Sequence, residues 1–230
     1  MDSDHGGTNY EFNRTKILIR HGKLSFTAYT DIAYSLNDII TGNITINDNL
    51  WHHITIVKTT DATNNLFLYV DGVLDVVGTN DFITDSQSLF LGANGYRFFE
   101  PPVAIKFNFK NNIKSVAREI NDLPYPIDFY QGNLDEVRVW NRALSLAELQ
   151  NNQNCELANP TSQTGLVAYY QFNQGVDSEN NMSLTVLTDA SGNGYNGTLT
   201  DFSLNGATSN WIAGSPIVTG NNCSPFFKYN

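Results

Sequence analysis

Residues 51–77 read WHHITIVKTTDATNNLFLYVDGVLDVV, and this stretch gives the clearest indication of the fold class. Apolar and polar residues alternate over residues 51–57, as they do in a β-strand with one buried face. Residues 66–70 form a second strand-like run after a polar loop, and Asp71-Gly72 then leads into the run 73–77. Because Asp-Gly accommodates the positive φ angles of a two-residue turn, the last two runs predict a β-hairpin.

Similar runs lie on both sides of this stretch. Residues 16–19 and 24–29 flank His21-Gly22-Lys23 and predict a second hairpin, in which Leu24, Phe26 and Ala28 alternate with polar residues. Further short strands are predicted at residues 44–46, 89–92, 137–140, 166–172 and 198–200. Many short strands separated by turns indicate an antiparallel β-sandwich or barrel.

A single helix is expected after the strand at 137–140. Ser145 and Glu148 have the spacing of a capping box, in which each side chain bonds the backbone N–H of the other residue. This pattern predicts one short helix over about residues 146–152.

The composition narrows the classes of partner. The chain has 230 residues with a net charge of −10 and a sequence pI of about 4.6. An acidic protein repels the phosphate backbone, so we expect no nucleic-acid partner. We also expect no membrane span, because no apolar run in the sequence is long enough to cross a bilayer.

Three stretches together resemble a known family. The first runs from Trp51-His52-His53-Ile54 to Tyr69-Val70-Asp71-Gly72, and the second is GNLDEVRVWNRALS at residues 132–145. The third combines GLVAYYQF at residues 165–172 with DASGNG at residues 189–194. The first two are similar to the motifs of the LamG-like (concanavalin A-like) jelly-roll family. The third resembles a segment found beside such domains in large secreted and surface proteins, notably of Bacteroidetes.

This resemblance implies an all-β fold, an antiparallel jelly-roll β-sandwich with one short helix after the closing strand. It places a LamG-like domain at residues 1–153, without the strands that usually precede residue 16. A β-rich C-terminal extension at residues 154–230 is expected to pack on that sandwich or complete it. Residues 96–130 are longer than the usual loop of the family, and we interpret them as a surface insertion. The chain is expected to be part of a larger multidomain protein.

The resemblance also implies a non-catalytic extracellular module that binds a glycan or another cell-surface or matrix ligand. A structural spacer with no ligand of its own is the first alternative. A glycoside hydrolase is the second, since some glycosidases share this fold. Such enzymes need two facing carboxylates, which alternate residues of one strand can supply. No Glu-x-Asp occurs in the sequence, and Asp135 and Glu136 are adjacent, so they would point to opposite faces of a strand.

Candidate ligand-binding residues are aromatic, because an aromatic ring can stack on the apolar face of a sugar. Four of them lie in segments predicted to be irregular: Tyr96, Phe99, Tyr125 and Tyr195. By contrast, Trp51 and Trp140 have apolar strand neighbours and are assigned to the core. Arg138 is expected to form a structural salt bridge with Glu136.

Calcium is the cofactor that the acidic loops suggest, because Ca²⁺ binds carboxylate and carbonyl oxygens. The candidate ligands are Asp135, at the entrance to a strand, and Asp189 and Asn193, in a glycine-rich loop. The alternative is that Asp189 and Asn193 cap turns through their own side chains.

Cys155 and Cys223 are the two cysteines of the chain. Their separation does not resemble that of a zinc site. A single disulfide is the preferred interpretation, and two unrelated buried thiols are the alternative. A disulfide would suit a secreted or cell-surface protein.

Overall fold

The computed structural model describes residues 15–28, 38–59, 65–79, 130, 132–199 and 202–223. The chain divides into two compact units, Met1–Ser86 and Gln87–Asn230. Antiparallel strands dominate the described residues, which contain a single α-helix. The predicted class, an antiparallel all-β sandwich with one short helix, is therefore confirmed. The jelly-roll topology of the LamG-like family stays a prediction, as does the strand expected at residues 89–92, which lies outside the described residues.

The first unit contains two antiparallel three-stranded sheets, with strand orders β1-β2-β3 and β4-β5-β6 in its described part. The six strands are β1 Thr15–Arg20, β2 Lys23–Ala28, β3 Asp38–Thr45, β4 Ile54–Lys58, β5 Asn65–Val70 and β6 Val73–Thr79. Both predicted hairpins form, β1–β2 and β5–β6. At the second turn, Asp71 and Gly72 have φ angles of 51° and 71°, the left-handed conformation that an Asp-Gly pair adopts readily.

The alternation along β5 produces the core of the first unit. Leu66, Leu68 and Val70 are buried, while the residues between them are only partly buried. They pack with Leu24, Phe26 and Ile40 of the other sheet in one apolar cluster. Each fully buried side chain of this kind contributes about 1.5–3 kcal/mol relative to exposure. The two sheets thus share one apolar core, as in a β-sandwich.

A bulge in β6 connects the two sheets at their edges. The register of β5 with β6 shifts beside Asp75, because Tyr69 pairs with Leu74 and Leu68 pairs with Val76. Asp75 Oδ1 accepts the backbone N–H groups of Asn43 at 2.7 Å and Ile44 at 3.1 Å, both in β3. The extra residue therefore directs a carboxylate to backbone amides of the neighbouring sheet, and redirecting a side chain is a common use of bulges.

The second unit is built from shorter elements. They are β7 Val137–Trp140, α1 Leu146–Asn152, β8 Leu166–Tyr170, β9 Val186–Leu187, β10 Gly197–Thr198, and 3-10 turns at Pro160–Ser162 and Gly206–Thr208. β7 pairs with β8, and β9 pairs with β10, both antiparallel. β7 lies before the predicted division at residues 153 and 154, and β8 lies after it. The ladder between them joins the two sides, so the C-terminal part pairs directly with the strand of the 132–145 motif.

The helix α1 begins where its capping box predicts, and it spans the expected residues 146–152. Ser145 Oγ accepts the backbone N–H of Glu148 at 3.3 Å, and the Glu148 carboxylate accepts the Ser145 N–H at 2.9 Å. Arg142 donates to the same carboxylate at 2.8 Å. These donors hold the pKa of Glu148 at about 2, with the Arg142 hydrogen bond as the largest cause.

Trp211 organises the core of the second unit. Its ring is 4% exposed and packs against Phe172 and Phe202, with ring centroids 6.4 and 5.3 Å away. The backbone of Gly175 touches the same ring, because a Cβ atom there would lie 2.1 Å from Trp211 Cγ. A glycine is therefore required at residue 175 for the tryptophan to pack in this position.

Candidate functional site

One of the four predicted ligand-binding aromatics lies in the described part of the chain. It is Tyr195, in the loop between β9 and β10, and its side chain is 44% exposed. Tyr96, Phe99 and Tyr125 lie outside the described residues. We therefore build the candidate site from residues 189–197, which we call the Asp189 loop.

The carboxylate of Asp189 organises this loop. Its Oδ1 atom accepts the backbone N–H groups of Tyr169 at 3.0 Å and Ser191 at 2.9 Å. Its Oδ2 atom accepts the Ser191 hydroxyl at 2.8 Å and the Tyr195 N–H at 3.0 Å. A single buried side chain thus connects both halves of the loop to β8.

These hydrogen bonds also lower the pKa of the Asp189 carboxyl group. Burial raises the pKa of the carboxyl, but the hydrogen bonds from Ser191, Tyr169 and Tyr195 outweigh it, and the net pKa is below the ordinary value. The ionised form is therefore favoured. Two donors on each oxygen match the acceptor capacity of a carboxylate. Asp189 thus caps the turn through its own side chain.

Asparagine side chains fasten the rest of the loop. Asn193 Nδ2 donates to the backbone carbonyls of Leu166 and Val167, each at 2.9 Å, and Asn196 Oδ1 accepts the Asp189 N–H at 2.9 Å. Both asparagines are nevertheless exposed to solvent. Both residues therefore lie at the surface on the same short loop as the Tyr195 ring.

The backbone of Tyr195 is fixed on both sides. Its N–H donates to Asp189, and its carbonyl accepts the Tyr170 hydroxyl at 2.6 Å. Burial, followed by the Asp189 charge, raises the pKa of Tyr170 to about 12, so this hydroxyl keeps its proton near neutral pH. The loop thus presents an exposed aromatic ring on a backbone that hydrogen bonds hold in place.

Asp135, the third predicted calcium ligand, contacts the C-terminal segment. Its Oδ1 atom accepts the Glu136 N–H at 2.9 Å, and Oδ2 accepts the Ser215 hydroxyl. Burial raises the pKa of Asp135 more than these hydrogen bonds lower it. The described residues contain no cluster of three or more His, Cys, Asp or Glu side chains positioned to hold a metal ion. The set Asp135, Asp189 and Asn193 stays a prediction.

The salt bridge predicted between Glu136 and Arg138 is confirmed, and it belongs to a larger network. Arg138 donates to Glu136 and to the backbone carbonyls of Asn152 and Cys155. The Tyr169 hydroxyl donates to the same Glu136 carboxylate, and the Arg138 guanidinium lies 5.2 Å from the centre of the Tyr169 ring. Burial is the largest cause of the raised pKa of Glu136. Glu136 and Arg138 of the 132–145 motif therefore connect β7 and β8 to the C-terminal end of α1.

Cys155 and Cys223 form a disulfide with a Cα–Cα distance of 5.0 Å. Beside it, Glu156 is 5% exposed and accepts the Gly220 N–H at 2.8 Å. The Glu156 backbone also pairs with the C-terminal segment, through Asn221 O at 3.0 Å and Cys223 N at 2.7 Å. We call residues 215–223 the C-terminal strap, since these bonds hold it to the segment that follows α1.

One core assignment from the sequence is wrong. Trp51 was expected in the core, but it is 38% exposed. The reason is that β4 begins only at Ile54, so Trp51 precedes the strand whose alternation predicted its burial. Trp140, in contrast, lies within β7 and packs against the core cluster of Leu157, Leu166 and Tyr169, as expected.

Sequence reasoning missed several residues that build these sites. The sequence pattern places Tyr169 and Tyr170 in a strand, but it indicates no role for their hydroxyl groups. Ser191 was also overlooked, although Asp-x-Ser is a spacing in which a carboxylate can accept bonds from the residue two positions later. That local signal was available at Asp189-Ala190-Ser191. The partners of the tyrosine hydroxyls are 25 and 33 residues distant, so local spacing gave no such signal.

No protein-family model matches the sequence. No curated protein matches it either. A solved structure with partial similarity is a candidate carbohydrate-binding protein from Bacteroides ovatus, with a TM-score of 0.42 and 19% identity over 76% of this chain and 39% of that protein. Another is an S-layer domain-containing protein from Clostridium thermocellum, with a TM-score of 0.28 and 15% identity over 56% of this chain and 50% of that one. This chain thus spans half or less of either protein, and neither similarity assigns it a function.

Proposed function

We propose that this chain is a non-catalytic extracellular binding module that uses the Asp189 loop to bind carbohydrate. The observation that carries the proposal is the exposed ring of Tyr195 on a backbone held by Asp189 and Tyr170. A fixed tyrosine offers a large contact surface at little cost in conformational entropy. A sugar ring can stack on its face while its hydroxyl groups bond the remaining amide atoms, Asn193 Oδ1 and Asn196 Nδ2.

The positions of the carboxylates support a non-catalytic role. Asp135 and Glu136 have pKa values raised by burial, a property that catalytic acids often show. However, Glu136 is paired with Arg138 and Tyr169, and Asp135 is bonded to Ser215. These bonds give both carboxylates a structural role in holding the second unit together.

The disulfide supports an extracellular location, because disulfides persist mainly in oxidising compartments. Within the described residues, no helix has the length and apolar character needed to cross a bilayer. A cell-surface location as part of a larger multidomain protein stays within the proposal.

The direct test is a glycan array with the whole chain, followed by calorimetric titration of a glycan that binds. Tyr195→Ala should weaken binding at least about tenfold, or about 1.4 kcal/mol. Tyr195→Phe keeps the ring and should retain most of the affinity. Met182→Ala serves as a matched control, since Met182 is 64% exposed in the same unit. Wild-type affinity in Tyr195→Ala would reject this site, and a flat array would reject carbohydrate as the ligand.

Calcium assistance is a separate part of the proposal. Coordination by Asp189 would require the ion to displace some of the four donors that this carboxylate already accepts. If calcium binds the native chain, it should raise the melting temperature in proportion to the logarithm of its concentration, and Asp189→Asn should remove this effect. An identical melting temperature in calcium and in EDTA would reject calcium binding.

A structural spacer is the second candidate. It is favoured by the way in which Glu136, Arg138 and Asp189 are bonded within the chain. A spacer would give a flat glycan array together with a melting temperature that calcium does not change.

A further inference from the structure

The His52 ring lies between two carboxylates in the first unit. Its Nδ1 atom is 2.8 Å from Asp71 Oδ2, and its Nε2 atom is 3.0 Å from Asp48 Oδ1. A neutral imidazole has one N–H donor and one lone pair, so it can donate to only one of these carboxylates. The protonated ring can donate to both. The geometry therefore favours the charged form of His52.

These contacts hold a loop on the turn between β5 and β6. Asp71 accepts the His53 N–H through Oδ1 at 2.8 Å, and the Asp71 N–H donates to His53 O at 2.8 Å. At the other end, Asp48 Oδ1 accepts the Leu50 N–H at 2.9 Å. Between these two anchors lie Leu50, which is 71% exposed, and Trp51, which is 38% exposed. We call residues 50 and 51 the apolar tip.

We propose that Asp48, His52 and Asp71 form a pH-sensitive latch, which fixes the loop of the apolar tip while His52 is protonated and loosens it when the proton is lost. The two carboxylates are the charged groups that act on the His52 ring in the described residues. His53, the neighbouring titratable residue, contributes its backbone N–H to the same Asp71.

The direction of the pH effect follows from linkage. The hydrogen bond to Asp71 is the largest cause of the raised pKa of His52; burial opposes it, and the bond to Asp48 adds to it. The stabilisation by the latch is therefore fully present below pH 6.5, the ordinary pKa of histidine. It is lost as the pH rises through the pKa that His52 has in the folded chain. Each pKa unit between the ordinary value and the folded-state value corresponds to about a tenfold change in the equilibrium between the fixed and the loosened loop.

The test uses the whole chain with two substitutions, Asp48→Asn and Asp71→Asn. Asparagine removes the charge, keeps an oxygen that can accept the N–H groups of Leu50 and His53, and tolerates the positive φ of residue 71. NMR titration should give His52 a pKa above 6.5 in the wild type and a lower pKa in the double variant. Amide exchange, expressed as protection factors, should show His53 losing protection as His52 titrates.

Two controls separate the latch from a general pH effect. The Asn43 amide also donates to a carboxylate, that of Asp75 at 2.7 Å, and its protection should stay constant over the same pH range. His52→Gln has no ionisable ring, so the protection of its His53 amide should stay constant over the pH range in which wild-type His52 titrates. The proposal is overturned if wild-type His52 titrates at or below 6.5, if the double variant titrates like the wild type, or if His53 protection is unchanged while His52 titrates.

Discussion

The disulfide between Cys155 and Cys223 gives the largest single stability effect that we predict. Both cysteines are replaced by alanine, which removes the cross-link without leaving a free thiol. The strap then keeps its hydrogen bonds to Glu156 and Asp135 but loses its covalent connection to the segment after α1.

The magnitude follows from the size of the loop that the bond closes. The two cysteines are 68 residues apart in sequence. In the chain-entropy model, a cross-link of this separation stabilises the folded state by about 4.4 kcal/mol at 25 °C. For a denaturant slope of about 2 kcal/mol/M, this loss lowers the midpoint of urea unfolding by about 2 M.

The assay is equilibrium urea unfolding followed by tryptophan fluorescence in a Trp51→Phe background. The remaining tryptophans, Trp140 and Trp211, both lie in the second unit, so the signal reports that unit. Wild-type protein treated with a reductant should match the double variant. A loss below about 1 kcal/mol would refute the chain-entropy argument and would mean that the unfolded chain is already restricted without the bond.

Four further substitutions test local features of the second unit. Ser145→Ala should lower stability by about 1 kcal/mol in thermal unfolding, because it removes the helix cap. Gly175→Ala should cost about 1–3 kcal/mol in the same assay, since its Cβ meets the Trp211 ring at 2.1 Å. Glu148 has a pKa of about 2 when folded and 4.5 ordinarily, so its contribution is present above pH 4.5 and is lost toward pH 2. Melting curves of Glu148→Gln should lack that part of the acid dependence. Asp189→Asn should increase amide exchange at Tyr195, because the carboxylate that accepts its N–H loses its charge.

Features with local causes could be predicted from the sequence alone. The hairpin at Asp71-Gly72 forms because two adjacent residues tolerate positive φ, and α1 begins where Ser145 and Glu148 can cap it. The alternation along β5 predicts its buried face, because successive side chains of a strand point to opposite sides of the sheet. Each of these outcomes depends on residues within a few positions of one another.

The contacts of the buried polar groups could not be predicted in this way, because they depend on which distant strands pair and in what register. Tyr169 bonds Glu136 only because β8 lies beside β7, and Asp189 reaches Tyr195 only because its loop folds back on β8. Trp51 is exposed because β4 begins three residues later than the alternation suggested. A periodic pattern reveals which face of a strand is apolar, whereas the partner of a buried hydroxyl or carboxylate is set by the path of the chain.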